Sequence, residues 1–176
     1  MGWFSPIKGS YPSLAQVDKT LPVKSGVTDI VRGSILALDG EGTEGVWKLA
    51  DDTDKLFYVA LQDYNDPTAG YAGTAHGDRA GTPRITALSL DMAGEYETSE
   101  YDATKTYTVG GALTVSGGKL TPAPEEGNKA VVGYVTLVPT SRWINNAISL
   151  PSGGTDQRLA TRTGAQKSVI RFRTAK

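Results

Sequence analysis

The chain has one histidine, His76, and Asp78 follows it two residues later. A histidine oriented by a carboxylate serves as the general base of serine hydrolases when a nucleophile touches it. The sequence has no Gly-x-Ser-x-Gly segment, which would expose such a serine. It also has no cysteine, which excludes thiol catalysis, thiolate metal sites and disulfides. We therefore predict no nucleophilic catalysis.

Three aspartates lie close together, at Asp51, Asp52 and Asp54. Oxygen ligands at this spacing suit a hard cation, but a calcium loop that starts at Asp51 needs glycine at its sixth position and glutamate at its twelfth. Those positions hold Leu56 and Gln62. The segment is better interpreted as a solvated turn, and we predict neither a metal site nor a cofactor.

Three glutamates, Glu95, Glu97 and Glu100, form a second acidic group. On a strand, Glu95 and Glu97 point to the same side, so we expect a solvent-facing edge whose charge opposes aggregation. A pair of glycosidase carboxylates is the alternative, but their separation across a cleft cannot be obtained from sequence. The glycine-rich stretch 70–81 lacks the Gly-Lys-Ser/Thr ending of a phosphate-binding loop.

Charge is distributed unevenly along the chain. The formal net charge is −1, but residues 141–176 hold seven basic residues and one acidic residue, for a net charge of +6. Residues 1–140 hold the remaining eleven basic and eighteen acidic residues, for −7. This asymmetry favours electrostatic docking, for example onto a second copy. The isoelectric point of about 5.8 argues against specific nucleic-acid binding, and no apolar stretch is long enough to cross a membrane.

Short apolar runs recur at intervals of about ten residues between positions 28 and 139. Most are β-branched, aromatic or alternating, which is typical of strands, and Gly117-Gly118 between two of them indicates a hairpin. The runs are 30–38, 46–50, 56–61, 85–90, 95–101, 107–109, 112–115, 120–121 and 130–138. We predict an all-β fold, a small antiparallel β-barrel or sandwich. The best helix candidate is 141–148, and the long polar loop 62–83 carries Tyr64 and Tyr71.

The two ends differ from this body. Residues 1–27 contain aromatic residues without helical or strand periodicity, which predicts an extended arm. Residues 140–176 form a basic tail that ends in a terminal strand, in which Ile170 and Phe172 share one face and Arg171 and Arg173 share the other. That strand would complete the chain's own sheet or pair with the edge of another chain.

The body resembles the capsid decoration proteins of tailed bacteriophages, also called cement or head-stabilisation proteins. The segments that carry the resemblance are GSILALDG at 33–40, FYVAL at 57–61, TVGGALTV at 108–115, GKLTP at 118–122 and VGYV at 132–135. The resemblance implies a non-enzymatic virion protein, made in the host cytoplasm, which binds the major capsid protein. It also implies a homo-oligomer, a dimer or trimer, whose arms bridge neighbouring capsid subunits.

We expect aromatic and basic side chains at both ends of the chain to contact the partner, because aromatic anchors dominate contact energies, and packing of the same residues onto the chain's own barrel is the alternative. These residues are Trp3, Phe4, Tyr11, Trp143, Ile170, Arg171, Phe172 and Arg173. The alternative function is a carbohydrate- or receptor-binding module of a phage fibre or tail, with the tyrosines of the 62–83 loop as contacts.

Overall fold

A computed structural model describes residues 2–6, 18–40, 45–64, 84–91, 93–125, 129–143, 147–149, 161–163 and 166–175. Within these residues the chain forms thirteen β-strands and no helix. The strands are β1 (Phe4–Pro6), β2 (Asp18–Pro22), β3 (Ile35–Asp39), β4 (Val46–Leu49), β5 (Tyr58–Ala60), β6 (Arg84–Ser89), β7 (Glu95–Thr98), β8 (Ala112–Ser116), β9 (Lys119–Pro122), β10 (Gly133–Trp143), β11 (Ala147–Ser149), β12 (Thr161–Thr163) and β13 (Gln166–Thr174).

The strands form two antiparallel sheets packed on each other, which confirms the all-β prediction in its sandwich form. The six-stranded sheet has the order β1-β7-β13-β10-β8-β9, and the five-stranded sheet has the order β2-β6-β5-β3-β4. Neither sheet is closed into a barrel. In each sheet one isolated parallel bridge joins segments that are not neighbours in the strand order: Tyr101, after β7, to Leu120 of β9, and Val23, after β2, to Trp47 of β4.

The main core lies between the sheets, because alternate residues of their strands are apolar and point inward. The six-stranded sheet contributes Leu113 and Val115 from β8, and the five-stranded sheet contributes Ile35 and Ala37 from β3. Aromatic rings fill the space at β7, where the Tyr96 ring lies 5.5 Å from Phe4 and 5.9 Å from Phe172 between centroids. These rings join the two ends of the chain to its middle.

A second core lies on the other face of the five-stranded sheet. Its centre is Trp47, which is fully buried and packs against Tyr58 with ring centroids 4.8 Å apart. The indole Nε1 donates a hydrogen bond to the carbonyl of Ile85 at 2.8 Å. The buried polar atom of the largest side chain is therefore satisfied, as burial requires.

The Gly117-Gly118 hairpin prediction is confirmed, since these residues connect β8 to β9. Both have positive φ, 53° and 75°, as a two-residue hairpin turn requires. At Gly118 an added Cβ would approach the Leu49 Cδ2 to 2.6 Å, whereas at Gly117 it would meet nothing within 4 Å. The first glycine is needed for its conformation alone, and the second also for close packing.

The ends of the chain belong to the sandwich. β1 pairs with β7 and β2 pairs with β6, so the described parts of the expected 1–27 arm are sheet strands. β10 crosses the expected boundary after residue 139, and β13 lies in the interior of the six-stranded sheet between β7 and β10. The expected division into arm, body and tail is corrected accordingly.

The helix expected at 141–148 is wrong, because residues 141–143 end β10 and 147–148 begin β11. β11 pairs antiparallel with β12 in a separate two-stranded sheet. The two strands pair with no third strand in the described residues. This two-stranded sheet, the β11–β12 extension, lies between β10 and β13 along the sequence.

Candidate functional site

The outer face of the six-stranded sheet, which points away from the main core, is the surface on which charged and exposed apolar side chains meet. Strand register places Glu95 of β7 opposite Arg173 of β13, and Arg173 opposite Tyr134 of β10. Partners in adjacent antiparallel strands project to the same side. Glu95 also accepts a hydrogen bond from the Thr136 hydroxyl at 2.6 Å. Glu95, Arg173 and Tyr134 therefore form a row of side chains across β7, β13 and β10.

A buried charge cluster follows along the same face. Arg171 donates to Glu97 Oε1 through Nη2 at 2.6 Å and Nε at 2.9 Å, and Arg142 Nη2 donates to the same oxygen at 3.2 Å. The side chain of Glu97 is only 5 % exposed, compared with 26 % for Arg171 and 42 % for Arg142. A carboxylate buried this deeply needs charged partners, and the arginines supply them.

Exposed apolar side chains lie on β10 and in a turn bonded to it, and one of them, Tyr134, is opposite Arg173. Tyr134 and Val138 of β10 are 45 % and 37 % exposed. Val109, at 68 %, lies in the turn 108–111, which is tied to β10 by backbone hydrogen bonds from Gly110 to the Val135 carbonyl and from Val135 to the Gly111 carbonyl. The expected strand 107–109 is therefore wrong: Tyr107 lies in no strand, and 108–109 belong to the turn. Exposed apolar groups bordered by charge are typical of protein contact surfaces.

Three of the expected contact residues are core residues in this chain. Phe4 is 3 % exposed, and Ile170 and Phe172 are 0 % exposed. Because they pack between the chain's own sheets, the expectation that they contact a partner is corrected. Trp3 is half-buried, and its backbone N–H and carbonyl are tied to Ser99 by hydrogen bonds of 2.9 Å each.

The remaining expected residues have different positions. Arg171 is committed to Glu97, whereas Arg173 is exposed on the outer face. Trp143 is the last residue of β10, but its side chain lies outside what the structure describes. Tyr11, His76 and Tyr71 lie outside the described residues as well. Tyr64 is half-buried against the second core.

The structure also shows the contacts of the two acidic groups, the glutamates of 95–100 and the aspartates of 51–54. Glu97 is not part of a solvent-facing edge, because β7 lies between β1 and β13 and Glu97 is buried. Asp54 pairs with Lys48 and Asp52 with Lys129, while Asp51 accepts a hydrogen bond from the Gly117 N–H. Among the described residues, no group of three or more potential metal ligands is close enough to hold an ion.

Sequence reasoning missed Tyr134, Val138 and Val109 as surface residues. The run 130–138 is apolar at nearly every position, and such runs usually mark strands that are buried on both faces. The signal that was available is the pair of residues Gly110 and Gly111, which indicates a turn and hence exposure of Val109.

Comparisons with protein-family models, with curated proteins and with solved structures give no match for this chain. The part of the chain that the structure describes contains no helix able to span a membrane.

Proposed function

We propose that this chain is a non-enzymatic structural protein of a tailed-phage virion. In this proposal it binds the outer surface of the capsid and stabilises the shell by bridging neighbouring subunits of the major capsid protein. The observation that carries the proposal is the exposure of Tyr134, Val138 and Val109 on and beside β10, with the exposed Arg173 opposite Tyr134. The resemblance to decoration proteins gives the partner its identity.

The architecture supports binding by contact. Both described ends of the chain are strands of the sandwich, so the outer face of the six-stranded sheet is held by the sheet's hydrogen bonds and core. A surface that is already ordered loses little conformational entropy on binding. Repetition over a shell then multiplies the effect of contacts that are individually weak.

The β11–β12 extension is the second element of the proposal. It lies within the basic segment 141–176, whereas residues 1–140 are net acidic. Opposite charges attract over about a Debye length, roughly 8–10 Å at physiological salt. We therefore expect the extension to contact an acidic surface, either on a neighbouring copy in a dimer or trimer or on a capsid subunit.

The test uses capsids that lack the protein. Light scattering first gives the mass of the purified chain, and co-sedimentation then measures how much of it binds per capsid. We expect saturable binding and an increase in the temperature at which the capsids open. If the chain does not sediment with capsids at micromolar concentration, the proposal is overturned.

A further inference from the structure

A polar cleft runs along the seam where the segment after β7 meets β9, at the Tyr101–Leu120 bridge. It has a volume of about 460 Å³, which lies within the range of small-molecule sites in proteins. One wall is the segment 101–104, and the other is the β8–β9 hairpin. The lining residues are Tyr101, Asp102, Ala103, Thr104, Ser116, Lys119 and Thr121.

The walls of this cleft are held in place by backbone hydrogen bonds. The Asp102 N–H donates to the Leu120 carbonyl at 2.9 Å, and the Leu120 N–H donates to the Glu100 carbonyl at 3.1 Å. The Tyr101 hydroxyl donates to Ser168 Oγ at 2.5 Å, and its ring meets the Tyr107 ring edge-on at 5.6 Å. The cleft is therefore preformed, which lowers the entropy lost on binding.

Two polar side chains of the cleft, Asp102 and Lys119, can form further hydrogen bonds with a ligand. Asp102 Oδ1 accepts hydrogen bonds from the Thr104 N–H and hydroxyl at 3.0 and 2.6 Å, which leaves Oδ2 without a donor among the described residues. The Thr104 hydroxyl and N–H hold the pKa of the Asp102 carboxyl below its ordinary value. The Lys119 side chain is exposed, and its ammonium forms no hydrogen bond or ion pair with any described residue.

A further unsatisfied group lies next to the cleft. Thr114 is 3 % exposed, and its Oγ1 is buried without a hydrogen-bond partner. Thr114 faces Thr121 directly in the β8–β9 ladder, so both side chains project to the same side of the hairpin. A buried hydroxyl without a partner costs about 1–3 kcal/mol, but Thr114 does not line the cleft, so the contact with a ligand falls to Thr121.

The composition of the cleft selects a ligand class. A phosphate compound needs several cations, but Lys119 is the only cation among the described residues that line the cleft, and the Asp102 carboxylate would repel a phosphate. An apolar ligand would leave both charges unpaired. A sugar offers hydroxyls that donate to the carboxylate and accept from the ammonium and threonine groups, and its C–H face packs against an aromatic ring such as Tyr101.

We propose that this cleft is a carbohydrate-binding site, with Asp102 and Lys119 binding sugar hydroxyls, Thr121 adding a hydrogen bond and Tyr101 supplying the apolar wall. This site lies on the seam beside β9 and is independent of the proposed capsid contact. A chain that fails to bind capsids would still bind sugar at this cleft.

The test uses the full chain without capsids. An array of bacterial surface oligosaccharides serves as the first probe, and the oligosaccharide that binds is then titrated while backbone amide NMR signals are recorded. We expect the signals of residues 101–104 and 119–121 to shift. Binding of no oligosaccharide at millimolar concentration, or shifts confined to other parts of the chain, would overturn the site.

Variants separate the cleft from general charge effects. Asp102→Asn keeps an oxygen that accepts the Thr104 N–H, and Lys119→Ala removes the cation; each should weaken binding by about tenfold or more, as for charged hydrogen bonds. Lys105→Ala is the matched control, because Lys105 is exposed on the same loop but does not line the cleft. Thermal unfolding checks that all variants fold. Equal affinity of folded Asp102→Asn, Lys119→Ala and Lys105→Ala proteins would contradict the proposal.

Discussion

Arg171 and Glu97 face each other across β13 and β7, and the guanidinium makes two hydrogen bonds to one carboxylate oxygen, at 2.6 and 2.9 Å. The two residues lie 74 positions apart in the chain. Their pairing joins the C-terminal strand to the middle of the sequence on the outer face of the sheet. The basic end of the chain thus neutralises part of its acidic body.

We predict that Arg171→Met destabilises the protein by about 2–3 kcal/mol, because Glu97 then stays buried with Arg142 as its one charged partner among the described residues. Arg142→Met should cost less, about 1 kcal/mol, since that arginine is more exposed and its bond is longer. Urea unfolding at neutral pH measures both values.

The control for Arg171 is Arg173→Met on the same strand and face. Arg173 is exposed and has no ion pair with a described residue, so its loss should change stability by about 0.5 kcal/mol or less. Similar unfolding midpoints for the Arg171→Met and Arg173→Met proteins would show that the buried pair does not stabilise the sheet.

The N-terminal strand offers a second prediction. Phe4 is buried and stacks on Tyr96, so Phe4→Ala should lower the unfolding free energy by about 3–5 kcal/mol. Leu56→Ala is the control, since Leu56 is 45 % exposed and its change should be about 0.5 kcal/mol or less. Thermal unfolding compares them. A Phe4→Ala protein as stable as wild type would mean that β1 does not contribute to the core.

The hairpin glycines should respond differently to the same substitution. Gly117→Asn should cost about 1 kcal/mol or less, because asparagine adopts positive φ and the site has open space. Gly118→Asn should cost more, because its Cβ would lie 3.2 Å from the Ile35 carbonyl oxygen of the backbone and would displace the Leu49 side chain. Chemical denaturation distinguishes the two, and equal losses would contradict the packing described for the turn.

Acid should weaken the protein through Asp39. The Lys24 ammonium donates to Asp39 Oδ2 at 2.6 Å and lowers the pKa of that carboxyl from its ordinary 3.8. As the pH falls, Asp39 is therefore protonated in the unfolded chain before it is protonated in the folded chain. The Lys24–Asp39 pair therefore contributes fully to the stability of the fold above the ordinary pKa of the carboxyl. This stabilisation is lost as the pH falls through the folded-state pKa.

We expect wild type to lose more stability than Asp39→Asn between about pH 5 and pH 2, as measured by urea midpoints. Asp29→Asn is the control, because Asp29 is exposed and has no ion pair with a described residue. If Asp39→Asn and Asp29→Asn follow the same pH curve as wild type, the link between Lys24 and acid stability is wrong.

Local patterns predicted the strands and the Gly117-Gly118 hairpin, because both depend on residues close in sequence. The same patterns did not predict the interior position of β13. The alternation of Ile170 and Phe172 with Arg171 and Arg173 shows that one face is buried, but it is identical for an edge strand and for a central one. Pairing over long sequence separations decides between them.

The candidate contact surface was less predictable than the fold. The expected anchors were chosen as aromatic residues near the chain ends, and aromatic residues suit cores and interfaces equally well. Phe4 and Phe172 lie in the core, whereas Tyr134, from the middle of an apolar run, lies on the surface. The arrangement of the strands in the sheets decides which aromatic residues are buried in the core and which are exposed on the surface.

The most direct test of the proposed contact face compares two variants for binding to capsids that lack the protein. Tyr134→Asp and Leu56→Asp each add a charge at a side chain that is 45 % exposed, but only Tyr134 lies on the outer face of the six-stranded sheet. We predict that Leu56→Asp binds with wild-type occupancy in co-sedimentation, while Tyr134→Asp loses about nine-tenths of its binding or more, as for a buried anchor. Full occupancy by a folded Tyr134→Asp protein would contradict the account.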